Sequence, residues 1–501
     1  MSGVVRAEQI LATSAARWPT HPVVIDQRGS YSFAKLHDGA QEVRSALRQA
    51  GVAPGAIIGV SMTEARNFLA TLFGVLEADC VAIPVAPNLS HAERARVVAE
   101  TGVAWVLTDS AMTSPPQGGP AANSPCLCLF GVSEITFAPQ SPESRVAITD
   151  VFPEAAVIRH TSGTTAKSKG VVLSHRAVLE RAVASQQLLG VTHDDVVLAP
   201  LPLSYHFVAS ALSCVRAGAT ILDCADLIAP EMLEFGAQRG ATICYASPIQ
   251  YELMSRTESR HLLPALRRAI STSALLPKRT ADSFFDRFGV RLTQVYGIIE
   301  VGLPLWNEFE SIESTALGVC KVPYEAIVVN DHGKEVQTGE VGELAIRGPG
   351  LFSGYLLGNQ VGSSPRMATA CMLDGEWFLT GDLVVRDELG VILYRGRKKS
   401  VINCGGNKIF PEEVEEVLRR SPDIIAVRVS AEPHPLLGSL VIAEVVVDPS
   451  QQPSIESWRA LCYSELSSYK VPKEFRIVES LPSTGSGKLV RYSDSNAAGA
   501  V

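Results

Sequence analysis

The sequence predicts an α/β fold. A large N-terminal domain of layered α/β subdomains carries a β-rich subdomain, and a small α+β C-terminal domain follows. Three observations predict it. The chain has 501 residues, and at ~100–200 residues per domain that length calls for two to four structural units. Short apolar runs alternate with segments of helical period from Pro22 onward, the pattern of repeated β-α units with largely parallel sheet. After Arg397 the pattern changes to a compact mixture of strands and helices about a hundred residues long, the size of a separate domain. The boundary is expected at Arg397 to Lys399, giving domains 1–397 and 398–501.

PVVIDQ, starting at Pro22, is the first strand. Ser32 then caps a helix whose Leu36, Ala40, Val43 and Leu47 share one face, and Gly51 ends it. The series continues with the strand AIIGVSM, a helix through NFLATLFGVLEA, the strand CVAIPV, a helix ERARVVAETG and the strand AWVLTD. Thr113 to Pro125 is too rich in proline and glycine for a core element and reads as a surface loop between two sub-lobes. A second α/β series runs from Ala156 to about Gly302, and KVPYEAIVVND and GELAIRG then alternate as antiparallel strands do. In the last domain Pro411 suits the first turn of a helix EEVEEVLRR. Strands IIAVRVSA and SLVIAEVVVD and a helix IESWRALCYSEL complete it. There is no internal repeat.

Composition narrows the function. Apolar residues make up 46% and charged residues 19%, a globular balance. The net charge of −8 with no long basic block argues against a nucleic-acid partner. The N-terminus lacks an apolar core of secretory length and no later run reaches the ~18 apolar residues of a membrane span, so a cytoplasmic protein is expected. The ten cysteines are scattered, and the closest pair, Cys126 and Cys128, lacks the spacing of a zinc knuckle. Buried reduced thiols acting as small apolar residues are the expectation.

The segment HTSGTTAKSKGVVLSH packs Thr161, Ser162, Thr164 and Thr165 around Gly163, with Lys167 and Lys169 close behind. Small residues let backbone N–H groups approach an anion, hydroxyls donate to its oxygens, and lysines add charge. The loop is not a Walker A sequence, because no GK[ST] ending follows at the required spacing. It resembles the phosphate loop of the acyl- and aryl-CoA synthetase, peptide-synthetase adenylation domain and luciferase superfamily, whose pattern is TSGTTGxPKG. Ala166 and Ser168 replace its glycine and proline. Four further segments match in order. QVYGIIEVG resembles YGxTE, WFLTGDL carries the family aspartate, YRGRKKSVINCGGNKIFPEEVE resembles the hinge motif, and LPSTGSGKLVR resembles PxTxxGK.

The resemblance implies ATP-dependent activation of a carboxylic acid to acyl-AMP with release of pyrophosphate, then acyl transfer to a thiol. It implies ATP and Mg2+ as cofactors, with coenzyme A or a carrier protein's phosphopantetheine as acceptor. ATP would be held by Thr161, Ser162, Gly163, Thr164, Thr165, Lys169, Tyr296, Asp382, Arg397 and Lys488. Mg2+ would sit on Glu300 and Thr161, since a carboxylate near a triphosphate needs a cation between them. Lys488 would contact the attacking carboxylate and the α-phosphate, and the small domain would turn about Lys399 for the second step. That turn would bring Gly405 and Gly406 to the thiol channel. No general base is needed, because a carboxylate is already ionised at neutral pH.

PLSYHFVASAL resembles the segment that closes over the acyl pocket, with His206 where aryl- and fatty-acyl-activating relatives often carry histidine or an aromatic. No aspartate is present to pair with an amino-acid substrate's ammonium group. AISTSALLP aligns with SGGAPL, with Thr272, Ser273 and Leu275 replacing Gly, Gly and Pro, and Ile299 replaces the threonine of YGxTE. His206, Ser273, Gly297 and Ile299 are thus the acyl-pocket residues. The pocket reads as narrowed, which argues against a long chain, and the lack of an evident pocket cation argues against a diacid. A compact aryl or short-to-medium acyl acid is expected, with coenzyme A favoured over a separate acyl carrier protein, in a monomer or homodimer. The other classes to weigh are a non-catalytic nucleotide-binding homologue and a luciferase-like oxygenase.

Overall fold

The computed structural model describes residues 6–87, 89–109, 126–131, 133–139, 148, 152–161, 169–308, 315–356, 372–404, 407–434 and 438–481. The expected surface loop at 113–125 lies outside them. Contact density divides the chain into two compact units. Of the described residues, the larger takes those up to 161, those from 169 to 325 and those from 346 to 372, and the smaller takes those from 326 to 345 and from 373 to 481.

The larger unit is built on two sheets. In the first, the spatial order is Gly354–Leu356, Lys169–Ser174, Ala155–Thr161, Val81–Pro84, Ile57–Ser61, Trp105–Thr108, Ser133–Pro139 and Cys126–Leu129. Its four central strands are parallel and both flanks are antiparallel. The second runs Ala316–Cys320, Gly302–Asn307, Leu292–Ile298, Arg268–Ser271, Ile243–Ala246, Val196–Ala199, Thr220–Asp223, Pro22–Asp26 and Gly29–Ser32. Its parallel run extends from Leu292–Ile298 to Pro22–Asp26. The helices Phe33–Gln49 and Ala65–Glu77 pack together in the core. Leu36, Ala40, Val43 and Leu47 are all fully buried, as their 3.6-residue spacing requires. Gly74 permits the approach, since a Cβ there would lie 2.6 Å from the Ala40 carbonyl oxygen. Ser32 caps the first of these helices, its Oγ accepting from the Lys35 N–H at 3.3 Å.

The strands Glu325–Val329 and Val341–Arg347, which fall in the smaller unit but for residues 325, 346 and 347, lie side by side with Trp377–Arg386 and Ile392–Arg397. A hairpin Ile402–Cys404 and Asn407–Ile409 leads to the helix Pro411–Leu418, with proline in its first turn. The antiparallel pair Ile424–His434 and Gly438–Val447 is joined by Glu474–Ile477, parallel to the second strand. These elements and the helix Ile455–Glu465 close an apolar core of their own around Trp458, whose Nε1 donates to Asp423 at 2.9 Å.

Six cysteines (Cys80, Cys214, Cys224, Cys244, Cys404 and Cys462) are buried free thiols. Cys126 and Cys128 depart from the expectation and are exposed. Alternation along the edge strand Cys126–Leu129 puts both on its outer face. Among the described residues no helix is long and apolar enough to cross a membrane.

Candidate functional site

Four of the motif residues, His206, Ser273, Ile299 and Glu300, lie on connections that leave the parallel strands of the second sheet, the usual location of ligands in α/β sheets. Leu292–Ile298 is the last parallel strand, and after an irregularity between Tyr296 and Ile298 the chain turns back into Gly302–Asn307. Two glycines shape that turn. A Cβ on Gly297 would lie 2.6 Å from Leu303 Cδ2, and Gly302, at φ +128°, would put one 2.7 Å from the Tyr324 hydroxyl. Tyr296 precedes the turn and Glu300 lies in it, both half-buried, while Ile299 packs against the large core.

The turn is fixed from behind by Arg181, a residue the motifs did not single out. Arg181 is only 3% exposed. Its Nε donates to the Gly350 carbonyl at 2.6 Å and its Nη2 to the Glu300 carbonyl at 2.7 Å; Nη1 donates to the Ile299 carbonyl. The Phe352 N–H also donates to the Glu300 carbonyl, at 2.9 Å. Gly350 must be glycine, since at φ +74° a Cβ would lie 2.5 Å from Arg181 Cγ. The strand Gly354–Leu356 then delivers Tyr355, whose hydroxyl donates to Glu300 Oε1 at 2.8 Å. Burial pushes the Arg181 guanidinium down to about 10, with Tyr324 and Glu300 opposing the shift, so it stays protonated at neutral pH. The signal was present in the sequence, because Arg181 falls on the same helical stripe as buried Ala177, Val178 and Ser185.

His206 and Ser273 come from two of the same strand ends. Ser273 follows Arg268–Ser271 in a left-handed conformation, φ +77°, and its Oγ lies 3.4 Å from His206 Nε2. The His206 ring meets Tyr245 edge-on at 6.3 Å between centroids. Burial pushes the Tyr245 phenol up to about 12, so it is a neutral wall at physiological pH. Arg159, in the strand Ala155–Thr161, is also buried and also escaped the sequence reading. Its Nη2 donates to the Tyr205 carbonyl, its guanidinium lies 5.3 Å from the Phe207 ring centroid, and burial pushes it down to about 10. A separate groove lined by Trp18, His193 and Arg216 contains none of these residues.

In the smaller unit Asp382 and Arg397 stand opposite each other across two antiparallel strands. Arg397 Nε lies 2.6 Å from Asp382 Oδ1, with the carboxylate 1% exposed and the guanidinium about half exposed. The Asp382 N–H donates to Thr380 Oγ1 at 3.1 Å. Lys399 is exposed in the short helical turn Lys398–Ser400. Its neighbour Lys398 is tied to Asp331 and Glu343, each at 2.9 Å, and these hydrogen bonds raise its pKa.

Ser162, Gly163, Thr164, Thr165, Gly405, Gly406 and Lys488 lie outside the described residues, as do the side chains of Thr161 and Lys169. Among the described residues no cluster of three His, Cys, Asp or Glu side chains is arranged to hold a metal ion. Glu300 is a hard oxygen donor with one oxygen engaged by Tyr355, which fits Mg2+, a cation bound through one or two carboxylates, waters and substrate phosphates.

The model of the AMP-binding enzyme matches residues 11–356, and that of the AMP-binding enzyme C-terminal domain matches residues 413–488. The chain belongs to the AMP-binding enzyme family. Among the AMP-binding enzymes it is 26% identical over 496 residues to a sulfoacetate–CoA ligase of Cupriavidus necator, covering 96% of each chain. It is 25% identical to the fatty acid–[acyl-carrier-protein] ligase ScoC of Streptomyces coeruleorubidus, covering 96% of this chain and 94% of the relative. The ATP-bound structure of MatB from Rhodopseudomonas palustris shares the fold at a TM-score of 0.79 with 22% identity, covering 96% and 97% of the two chains. This AMP-binding enzyme is an acid–thiol ligase of the AMP-forming type, with ATP and Mg2+ as cofactors and coenzyme A or a carrier protein's phosphopantetheine as the thiol.

Proposed function

We propose that the protein joins a compact carboxylic acid to AMP through the residues assembled above and then passes the acyl group to coenzyme A. The observation that carries this reading is the clamped turn, where Arg181 fixes the backbone of Ile299 and Glu300 and Tyr355 orients the carboxylate. Catalysis of phosphoryl-type displacement is chiefly positioning and charge neutralisation, and a carboxylate held from two sides suits that demand.

A carboxylate is a poor electrophile, because its charge is delocalised and oxide would have to leave. Its oxygen attacks the α-phosphorus of ATP, the bond to the bridging oxygen breaks, and pyrophosphate departs. In this assignment Tyr296 lies against adenine, Asp382 accepts from the ribose hydroxyls, and Arg397 holds Asp382 while contacting the ribose. Thr161 to Thr165 and Lys169 embrace the phosphates, and Glu300 with Thr161 holds Mg2+. When bound, Mg2+ supplies neutralisation of the triphosphate charge. Lys488 meets the attacking oxygen and the α-phosphate, where a preorganised cation counts most. In the second step the thiol sulfur attacks the acyl carbon and AMP leaves, with the residues after 397 turning about Lys399 so that Gly405 and Gly406 border the incoming arm. His206, Ser273, Gly297 and Ile299 enclose the acyl group.

A carrier protein's phosphopantetheine is the alternative acceptor, favoured by the similarity to a relative named as an acyl-carrier-protein ligase. The deciding experiment is ATP–pyrophosphate exchange with a panel of acids, followed by product analysis with coenzyme A present and absent. No exchange with any acid would refute the activation step, and exchange without thioester formation would refute the choice of acceptor.

A further inference from the structure

In the strand Ala155–Thr161, Val157 turns toward the large core and Ile158 toward the opposite one. Strand alternation therefore sends Arg159 inward beside Val157, where it is 6% exposed. Its one side-chain hydrogen bond among the described residues is from Nη2 to the Tyr205 carbonyl, and the Phe207 ring lies against its guanidinium. Among the described residues no carboxylate forms an ion pair with it. Among the described residues the charged or titratable groups acting on it are Arg181, which repels it, and the Tyr205 phenol. A guanidinium buried without a counter-ion is strongly disfavoured, so a fold that keeps one has an anion to receive.

We propose that Arg159 binds a second anionic group, a carboxylate or sulfonate, at the far end of the acid being activated, so that the substrate is a compact dianionic acid rather than a monoacid with a neutral tail. The inference rests on the ligase reading above. The reacting carboxylate is not available to Arg159, since it must lie at the α-phosphorus, and a second anion is therefore required. The position favours the acid over the triphosphate. Both contacts of Arg159 are to Tyr205 and Phe207, the residues flanking His206, and His206 in turn faces Ser273 and Tyr245. At the Glu300 end the cation is Arg181, already committed to three carbonyls. The sequence argued against a diacid for want of a cation, and Arg159 supplies one. An arginine suits the task better than a lysine, because its plane can stack on Phe207 while its edge takes an anion in a fork.

The test is pyrophosphate exchange by the full-length protein with matched sets of acids: acetate, malonate and sulfoacetate; butyrate and succinate; benzoate and isophthalate. The wild type is expected to favour a dianionic member over its neutral partner by at least about tenfold in kcat/KM, because a polar receptor left unpaired rejects the analogue that lacks its partner. Arg159→Met is expected to abolish that preference by raising KM for the dianionic acid, with KM for ATP unchanged, and Arg159→Lys to keep part of it. Equal or better use of the neutral acids by the wild type overturns the proposal, and this reading needs no variant to fold. A rise in KM for ATP in Arg159→Met comparable to that for the acid also overturns it, by assigning the guanidinium to the phosphates. Exchange with no acid at all refutes instead the ligase reading on which the proposal rests.

Discussion

Replacing Arg181 with methionine tests whether the clamped turn matters to catalysis. The change removes three charge-assisted hydrogen bonds, to the carbonyls of Ile299, Glu300 and Gly350, each of a kind worth ~1.5–3 kcal/mol. Much of that is offset, because methionine also ends the burial of a cation, a penalty of several kcal/mol. The Glu300 carbonyl keeps the Phe352 N–H. A net loss of ~2–4 kcal/mol is expected, seen as unfolding of the larger unit a few degrees earlier in a thermal melt. The functional effect is distinct. Freed from behind, Glu300 wanders by a fraction of an ångström or more, and misplacement on that scale costs about tenfold to a hundredfold in rate. The assay is pyrophosphate exchange at a series of Mg2+ concentrations, below the melting onset of the variant. A higher Mg2+ requirement together with a lower rate is expected. If the variant melts early yet exchanges at the wild-type rate with unchanged Mg2+ dependence, Arg181 serves stability alone and the reasoning fails.

Lys488→Ala is expected to lose adenylation by roughly a hundredfold or more while still converting supplied acyl-adenylate to thioester; wild-type pyrophosphate exchange would remove Lys488 from the first step. Asp382→Asn replaces the carboxylate paired with Arg397 by a neutral acceptor, and KM for ATP should rise by about tenfold, the value of one charge-assisted bond, while KM for the acid stays put. Tyr355→Phe removes the 2.8 Å bond to Glu300 Oε1 and should raise the Mg2+ requirement a few-fold with little loss of stability, as a titration of exchange against Mg2+ would read. Burial and the adjacent Glu134 carboxylate raise the Cys126 thiol to about 11, so its thiolate fraction is small at pH 8. Site-resolved alkylation followed by mass spectrometry should find Cys126 slow at pH 8 despite its exposure and speeding about tenfold per pH unit up to pH 11.

Local pattern made much of the fold legible. Ser32, the Leu36–Ala40–Val43–Leu47 stripe and Gly51 define a helix at both ends and on one face, and the apolar runs up to Trp105–Thr108 became strands because their lengths and neighbours left no alternative. Long-range returns were not legible. Nothing in the short segment Gly354–Leu356 tells that it pairs with Lys169–Ser174, and that pairing helps deliver Tyr355 to Glu300. The motif residues are legible by resemblance, whereas Arg159 and Arg181 belong to no motif. Each is an arginine at an apolar position, in an inward strand register and in a helical stripe, and that conflict between charge and pattern is the signal a sequence reading can use. Cys126 and Cys128 were misplaced for the opposite reason, since apolar character says nothing of which strand lies at a sheet's edge.

Glu300 and Tyr355 meet inside the larger unit, yet the stretch of chain between them includes residues 326–345 of the smaller one. A gene-shuffling junction anywhere in that interval would inherit the carboxylate from one parent and its phenol from another. Productive chimaeras of this enzyme with its relatives should therefore splice before residue 292 or beyond residue 356, with the intervening block transferred whole.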